Sequence, residues 1–236
     1  MTQAQSDADL CGMIPEENDP GFVAQHLSAY AFMRSRIVGR KVLEVGFGDG
    51  YGAAYLAEQA GEVVAVDLVE GNAPRARRKY PRPNLCFLSF DGKRIPFPDR
   101  TFDAAGSFQV IEHVPEKDLV AWLTEIRRVL KPEGSFYLST LNLENARKPG
   151  KPYEKLIYHE KEFTAPELKQ LLCRIFPSVE MFGLHPSPVH RFFRRLKRWG
   201  WKVRAYYSRI SVRDFVASRS GLRRCLDLIA VCRIKR

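Results

Sequence analysis

A chain of 236 residues with 45% apolar content is long enough to bury a substantial core, and it contains no apolar stretch approaching the roughly 18 residues of a membrane span. Asp7, Asp9, Glu16 and Glu17 stand where a secretory leader would carry a basic region and an apolar run, so neither a leader nor a membrane anchor is expected. The five cysteines (Cys11, Cys86, Cys173, Cys225 and Cys232) form an odd set without a CxxC pair, and three fall in apolar segments that read as core. This pattern fits a reduced, cytoplasmic protein and predicts no metal site.

The net charge of +11 is unevenly spread. Residues 185–236 hold 15 Lys/Arg against two acids, Asp214 and Asp227, whereas positions 1–184 hold 23 basic and 25 acidic residues. A block of about +13 at one end points to an anionic partner: a phosphorylated substrate, a membrane surface or nucleic acid.

In chain order, a helical pattern through Val23, Leu27, Tyr30 and Ala31 precedes a short apolar run, Lys41 to Val45, which ends in glycines and reads as a buried strand. A helix is predicted from about Gly52 to Ala60, a second strand at Val63 to Val66, a basic helix at Ala73 to Tyr80 and a third strand at Leu85 to Leu88. Pro81 and Pro83 break the chain before that strand. The turn-rich Ile95 to Asp103 leads into a fourth strand, Ala104 to Val110. Leu119, Val120, Leu123, Ile126 and Leu130 then recur at helical spacing, and Pro132 and Gly134 are predicted to end that helix. A fifth strand follows at Phe136 to Leu141. Thr164 with Glu167 forms a capping box that opens a helix through Phe176. Val179 to Leu184 and Leu226 to Cys232 are the last two strands. The alternation predicts an α/β, doubly wound, mostly parallel seven-stranded sheet of Rossmann-like type, with a helical basic insert before the last strand.

In such a sheet a ligand lies beyond the carboxyl ends of the strands, where the first strand-to-helix turn offers backbone N–H groups. Gly46, Gly48 and Gly50 occupy that turn, and Asp67, closing the second strand, is placed to accept from two ribose hydroxyls. The glycine turn alone leaves two ligands open. GDGYGA from Gly48 also satisfies the dinucleotide spacing, with Asp67 19 residues on.

From about Val42 to Phe176 the chain resembles the class I S-adenosylmethionine-dependent methyltransferases. VLEVGFGDGYG is similar to that family's first motif, with Glu44 as its acidic strand-end residue, and VVAVDL to its second. FDGKRIPFPDRTFDAAGSFQVIEHV and EIRRVLKPEGSFYLST resemble the regions that follow. The resemblance implies S-adenosyl-L-methionine as cofactor, with Gly46, Gly48 and Gly50 around its methionine moiety, Asp67 on the ribose and Leu68 against the adenine. It further implies Asp91 with Gly92 at the adenine edge, and Phe108 and Gln109 near the methionine end. Phe47 and Asp49 depart from the family's usual residues, at positions that contact a ligand through the backbone.

A sulfonium carries an already activated methyl group, so the protein has chiefly to position it and exclude water. If the acceptor is a hydroxyl, a base assists, and His113 after the fourth strand is the candidate catalytic residue. The plainer alternative is that Glu112 and His113 only satisfy a turn. His159, and the pair His26 and Tyr30 on one face of the first helix, are weaker candidates for ligand contact.

The resemblance also implies that the sixth strand is parallel and the seventh antiparallel to the rest. Residues 185–224 would then overhang the substrate edge, together with the basic loop Arg147 to Lys155. Within this segment Val189, Phe192, Phe193, Leu196, Trp199 and Val203 recur at helical spacing, interleaved with Arg191, Arg194, Arg195, Arg198 and Lys202. Such a stripe suits an ordinary packed helix, a lid for an anionic acceptor, or an interfacial membrane helix over 189–210. No nucleic-acid module is recognisable. Relatives sharing the IPEE start and the HEKEFT segment act, as a family tendency, on sugars or lipid-linked glycans.

The sequence thus predicts a single domain over 1–236, with a helical cap at 1–40 and the basic insert at 185–224. It would transfer a methyl group to oxygen of a small-molecule or carrier-linked acceptor, a sugar or an anionic substrate, in the cytoplasm or at the inner membrane surface. The alternatives are an NAD-type oxidoreductase, and a catalytically idle fold that binds a partner or membrane through the insert.

Overall fold

A computed structural model of the chain describes residues 12–147 and 152–235. The elements run α1 (Pro20–Arg34), β1 (Lys41–Val45), α2 (Tyr51–Leu56), β2 (Glu62–Asp67), α3 (Asn72–Lys79), β3 (Leu85–Ser89) and β4 (Phe102–Phe108). They continue with α4 (Leu119–Val129), β5 (Leu130–Leu141), α5 (Leu143–Ala146), α6 (Ala165–Cys173) and β6 (Ser178–Pro186). The last are α7 (Pro188–Arg198), α8 (Arg204–Tyr207), β7 (Phe215–Ser218) and β8 (Asp227–Arg233).

The strands form one sheet in the order β3-β2-β1-β4-β5-β8-β6-β7. β3, β2, β1, β4 and β5 are mutually parallel, while β8 pairs antiparallel with both β5 and β6. β6 therefore runs parallel to β5, as expected. The strand order reverses at β1 and β4, and their carboxyl ends open the crevice in which open α/β sheets bind ligands.

Alternation along the strands divides the core between the two faces. Leu43 and Val45 of β1 point to one face, with Leu119, Leu123 and Ile126 of α4 and Leu168 of α6. Val42 points to the other, where Met33 of α1, Leu56 of α2 and Ala73 of α3 pack. Glu44 shares the side of Val42 by the same two-residue period, which turns an acidic side chain into the space beneath α1. α1 is held at its start by Asp19, whose Oδ1 accepts from the Gly21 and Phe22 N–H groups. It approaches α2 so closely that a Cβ on Gly52 would lie 2.1 Å from the Tyr30 ring.

Three expectations are corrected. The sheet has eight strands where the sequence reading counts seven: the additional one, β7, lies inside the basic segment and pairs with the edge of β6. α4 stops at Val129, and Pro132 and Gly134 lie within β5, where the register against β4 shifts between Phe102 and Ala104. That irregular stretch asks no ladder hydrogen bond of Pro132, which is why a proline is tolerated in the strand. Of the described cysteines only Cys225 and Cys232 are buried; Cys86 and Cys173 are exposed, and Cys11 lies outside the described residues. The capping box of α6 forms as predicted, Thr164 accepting from the Glu167 N–H and Glu167 from that of Thr164.

Candidate cofactor and acceptor site

The turn after β1 is built by backbone groups and fastened by three side chains. The Gly46 N–H donates to the Val66 carbonyl (2.8 Å), and Gly46, Gly48 and Gly50 all have positive φ. At Gly46, with φ +81°, a Cβ would also stand 2.6 Å from Val110, so no other residue fits. Asp67 closes the turn from β2: Oδ2 accepts from the Gly48 N–H (2.8 Å), and Oδ1 from the Val69 N–H (2.9 Å) and the Asn72 amide (3.1 Å). Burial raises its carboxyl pKa above the usual range, against these stabilising donors. Oδ2, with a single donor, keeps capacity for a hydroxyl.

Phe47 and Asp49, the two departures from the family's usual residues, both face inward. The Phe47 ring meets Phe87 edge-on at 4.9 Å. Asp49, only 2% exposed, receives the Lys79 ammonium at 3.0 Å and the Tyr80 hydroxyl at 2.7 Å, and Lys79 also reaches Glu16. The loop is thereby tied to α3. The sequence treats Asp49 as a backbone-contacting position and misses this anchor, since the lysine and tyrosine that hold it lie 30 and 31 residues further on.

Glu44 is fully buried. The Tyr30 hydroxyl donates to its Oε1 at 2.7 Å, while Oε2 has no hydrogen-bond partner among the described residues. Burial pushes the carboxyl up to about 8, opposed by the Tyr30 hydrogen bond. A buried acceptor left empty beside a turn of glycine N–H groups is a position prepared for a cation. The methionine end of S-adenosylmethionine supplies an ammonium, so the residues fit that cofactor. Tyr30 thus touches Glu44, and His26 bonds Tyr51 (2.8 Å); burial lowers the His26 pKa to about 4.

The expected adenine positions lie together. Leu68 is 63% exposed, a large apolar side chain left uncovered, and its Cδ1 is 3.1 Å from where a Cβ on Gly92 would be. Asp91 is exposed and accepts from the Lys93 and Arg94 N–H groups (2.8 and 2.9 Å), which shapes the turn at Gly92. Phe108 is buried with its ring 4.0 Å from that of Tyr30, so its side chain supports the site from beneath α1. Gln109 carries φ +54° just past β4, held by its N–H donating to the Ser139 carbonyl (2.9 Å). A left-handed conformation at a non-glycine residue is a strain that the surrounding structure must enforce.

Beyond Gln109 the chain makes a 3-10 turn, Ile111–His113, over which the loop before α6 folds back. The Glu160 and Lys161 N–H groups donate to the Glu112 carbonyl (2.8 and 3.1 Å), bringing His159 beside His113 with ring centroids 4.9 Å apart. His113 is exposed, and its Nδ1 lies 2.9 Å from the Tyr158 carbonyl. His159 Nδ1 lies 2.7 Å from Glu162 Oε1, and the Tyr153 hydroxyl donates to Glu162 Oε2. Burial lowers the His159 pKa to about 4, keeping the ring neutral near pH 7. Glu112 is buried with a pKa raised by burial to about 8, and Thr140 donates to its Oε2 at 2.9 Å. Sequence reasoning names His113 and His159 separately but not their meeting, nor Glu162; the HEKEFT spacing was the available signal.

The basic segment leaves β6 at this same edge. In α7 the buried residue is His190, which meets the Tyr206 hydroxyl at 3.0 Å, and Tyr206 in turn donates to Asp214 (2.7 Å). The apolar stripe read from the sequence divides: Phe193 stacks on Tyr206 at 3.9 Å, but Val189, Phe192 and Trp199 are exposed, as is Trp201. Arg191, Arg194, Arg195, Arg198 and Tyr207 line a groove of about 560 Å³, and among the described residues no carboxylate pairs with these four arginines. Of the expected basic loop Arg147 to Lys155, residues 148–151 lie outside the described part.

A methyltransferase-domain family matches residues 43–138, the span from β1 to β5 that carries the turn, Asp67 and His113. A "Probable S-adenosylmethionine-dependent methyltransferase" of Mycobacterium tuberculosis is 35% identical over 165 residues, covering 70% of this chain and 58% of that protein. A fatty-acid O-methyltransferase of Mycolicibacterium smegmatis is 37% identical over 102 residues, 42% of this chain and 36% of that protein. The chain thus spans a little over half the length of the first of these curated relatives and about a third of the second. Among solved structures, the DhpI–SAH complex superposes with a TM-score of 0.61 at 19% identity, over 98% of this chain and 94% of that one, and so shares the fold. A glycine turn closed by Asp67 at the switch point of the sheet, a buried acid awaiting a cation, and these likenesses converge: the chain belongs to the class I S-adenosylmethionine-dependent methyltransferase family.

Proposed function

We propose that the chain transfers the methyl group of S-adenosylmethionine to a hydroxyl oxygen of a small-molecule or carrier-linked acceptor, a sugar or an anionic compound. The observation that carries this reading is the Glu44 carboxylate: fully buried, with one oxygen lacking a partner among the described residues, next to the glycine turn. The bound cofactor supplies an electrophilic methyl on a sulfonium, which needs no further activation by the protein.

The work of the chain's own residues is to hold and to exclude. Glu44, Gly46, Gly48 and Gly50 grip the methionine end, Asp67 the ribose, and Leu68 with Asp91 and Gly92 the adenine. Phe108 and Gln109 fix the floor between cofactor and acceptor. His113 takes the acceptor's proton as the new C–O bond forms. That role is supported by its exposure and by the Tyr158 carbonyl, which can only accept; the Nδ1 facing it must carry the proton, leaving the lone pair on Nε2. The relative described as a fatty-acid O-methyltransferase supports oxygen as the atom modified.

The same reading takes residues 1–236 as a single domain, capped by 1–40, of which 1–11 lie outside the described residues, with 185–224 over the acceptor. Exposed Val189, Phe192 and Trp199 beside unpaired arginines support contact of 189–210 with an anionic membrane surface, which suits a lipid-linked acceptor. No helix of the described residues is long and apolar enough to cross a membrane.

Thermal stabilisation by S-adenosylhomocysteine but not by NAD, with incorporation of labelled methyl into a cell extract, is the expected result. Stabilisation by NAD alone would replace this function with that of an oxidoreductase, and stabilisation by S-adenosylhomocysteine without incorporation would leave an idle fold.

A further inference from the structure

Glu112, His113 and His159 each offer one ligand atom, and these atoms all lie within 4.8 Å of one another. The proton assignments around them make this grouping unusual. The carbonyl of Tyr158 fixes the proton of His113 on Nδ1, as above. Glu162 does the same for His159: its Oε1 faces the His159 Nδ1 and its Oε2 takes the Tyr153 hydroxyl, so the carboxylate accepts at both ends. With both Nδ1 atoms engaged, Nε2 is the nitrogen each ring has left to offer, and it carries a lone pair. The third member, Glu112, is 1% exposed and oriented by Thr140. Two imidazole lone pairs and a buried carboxyl, whose proton an incoming cation would displace, therefore lie together.

We propose that Glu112, His113 and His159 bind a divalent transition-metal ion of the zinc class. Two imidazoles and one carboxylate, with a fourth position open, are the donor set of open zinc sites. The outer partners fit as well: a carboxylate on one histidine, a main-chain carbonyl on the other and a hydroxyl on the acid are the groups that orient metal ligands and fix their tautomers. The loop that carries His159 is docked by its own backbone onto the Glu112 carbonyl, so the two histidines are held together without the ion. This departs from the expectation, drawn from the cysteine pattern, of no metal site. Cysteine spacing has no bearing on a site whose two histidines come from separate loops, His113 and His159 lying 46 residues apart.

The ion would compete with a proton for the Nε2 of His113. On the methyl-transfer reading above, an occupied site therefore cannot take the acceptor's proton, and zinc is expected to stop turnover while leaving the cofactor site intact. Binding itself does not depend on that reading and is measured separately. The purified chain, freed of any affinity tag, is titrated with Co²⁺ as a spectroscopic stand-in for zinc, followed by visible d–d absorption and displaced by Zn²⁺. One equivalent is expected to bind. His113→Gln, at an exposed position that leaves the fold undisturbed, should abolish the spectrum, as should His159→Gln, checked by circular dichroism. Glu162→Gln should weaken binding about 10- to 100-fold through the loss of its outer hydrogen bond. Glu44→Gln, in the cofactor site, should leave Co²⁺ binding unchanged. Absence of a spectral change in the parent chain, or a change that persists in His113→Gln, overturns the proposal. A parent that binds Co²⁺ but is not stabilised by S-adenosylhomocysteine would instead count against the function and leave the metal site standing.

Discussion

The two ends of the acceptor edge are built on opposite plans. Among the described residues nearly every polar atom at the β1 end has a partner: Asp67 takes three donors, Asp49 takes a lysine and a tyrosine, and the unpartnered buried oxygen there is Glu44 Oε2. At the β6 end, α7 buries one histidine, and among the described residues its arginines meet no carboxylate and the tryptophans beyond it stay uncovered. A site with one gap in a satisfied network selects one rigid ligand. A surface with many unpaired charges answers to charge density, and its interactions should weaken with salt. Substitutions should therefore act sharply at the first end and gradually at the second.

The largest effect is expected of Asp67→Ala. It removes the acceptor of two backbone N–H groups and the Asn72 amide in a buried place, and stranded donors cost about 1–3 kcal/mol each unless water reaches them. A melting temperature lower by roughly 5 °C or more follows for a chain of this size. The stabilisation by S-adenosylhomocysteine should vanish entirely. A variant that keeps its full ligand shift would show that the carboxylate serves only to close the turn.

Glu44→Gln should separate binding from stability, because the buried acid is a liability until a cation pairs with it. Its folded pKa of about 8 lies above the usual carboxylate value of 4.5. The folded state thus holds a proton that the unfolded state releases, and stability falls as pH rises between about 4.5 and 8. The amide removes that penalty and keeps an acceptor for Tyr30. At pH 8 the ligand-free variant should be more stable than the parent by ~2 kcal/mol or more, with the difference fading toward pH 4.5. It should also bind S-adenosylhomocysteine at least ~10-fold more weakly, as expected for a lost buried charge pair. Urea titrations at pH 5 and 8 with calorimetry at pH 8 would check both; a variant less stable at pH 8 would contradict the origin assigned to the shift.

A smaller effect of the same sign on binding is expected at the loop's anchor. Asp49→Asn keeps the size of the side chain but loses the charge that meets Lys79, with an expected loss of about 1–3 kcal/mol for a buried charge-assisted contact. Cofactor affinity should fall only through the loosened turn, by less than in Glu44→Gln. If affinity is untouched although stability falls, the loop is held by its glycines and Asp67 alone.

These two ends also differ in how far the sequence reveals them. β1, β2 and the turn between them are continuous in sequence, and their signals are local: an apolar run, glycines, then an acid at the end of the next strand. The capping box at Thr164 was legible for the same reason. Asp49, His159 and Glu162 acquire meaning only from partners brought in by chain reversal, and no spacing rule connects Asp49 to Lys79 or His113 to Tyr158. β7 was hidden because four residues paired on one edge leave too short a pattern to distinguish from a loop. The stripe of α7 was legible as a period but not as a direction. Phe193 finds Tyr206, whereas Phe192, one residue earlier, faces solvent, and periodicity cannot tell which side of an amphipathic helix has a tertiary partner.

The smallest effect on the protein itself, and the one that most sharpens the contrast, is expected of Arg194→Glu with Arg195→Glu. Neither side chain has a partner among the described residues, so stability should change by no more than about 0.5 kcal/mol, and stabilisation by S-adenosylhomocysteine should be that of the parent. Binding to a surface should nevertheless collapse. Each arginine near an anionic membrane contributes about 1 kcal/mol, and reversing two of them removes that attraction and adds repulsion. Co-sedimentation with vesicles containing phosphatidylserine should therefore fall at least ~30-fold, or by about 2 kcal/mol, and binding by the parent should decline between low and physiological salt. Vesicles of neutral lipid separate the contributions, because Phe192 and Trp199 would still insert where arginines have nothing to attract. Equal binding of parent and variant to anionic vesicles would assign the contact to these aromatics, and no binding by the parent at low salt would remove the membrane as the partner of this face.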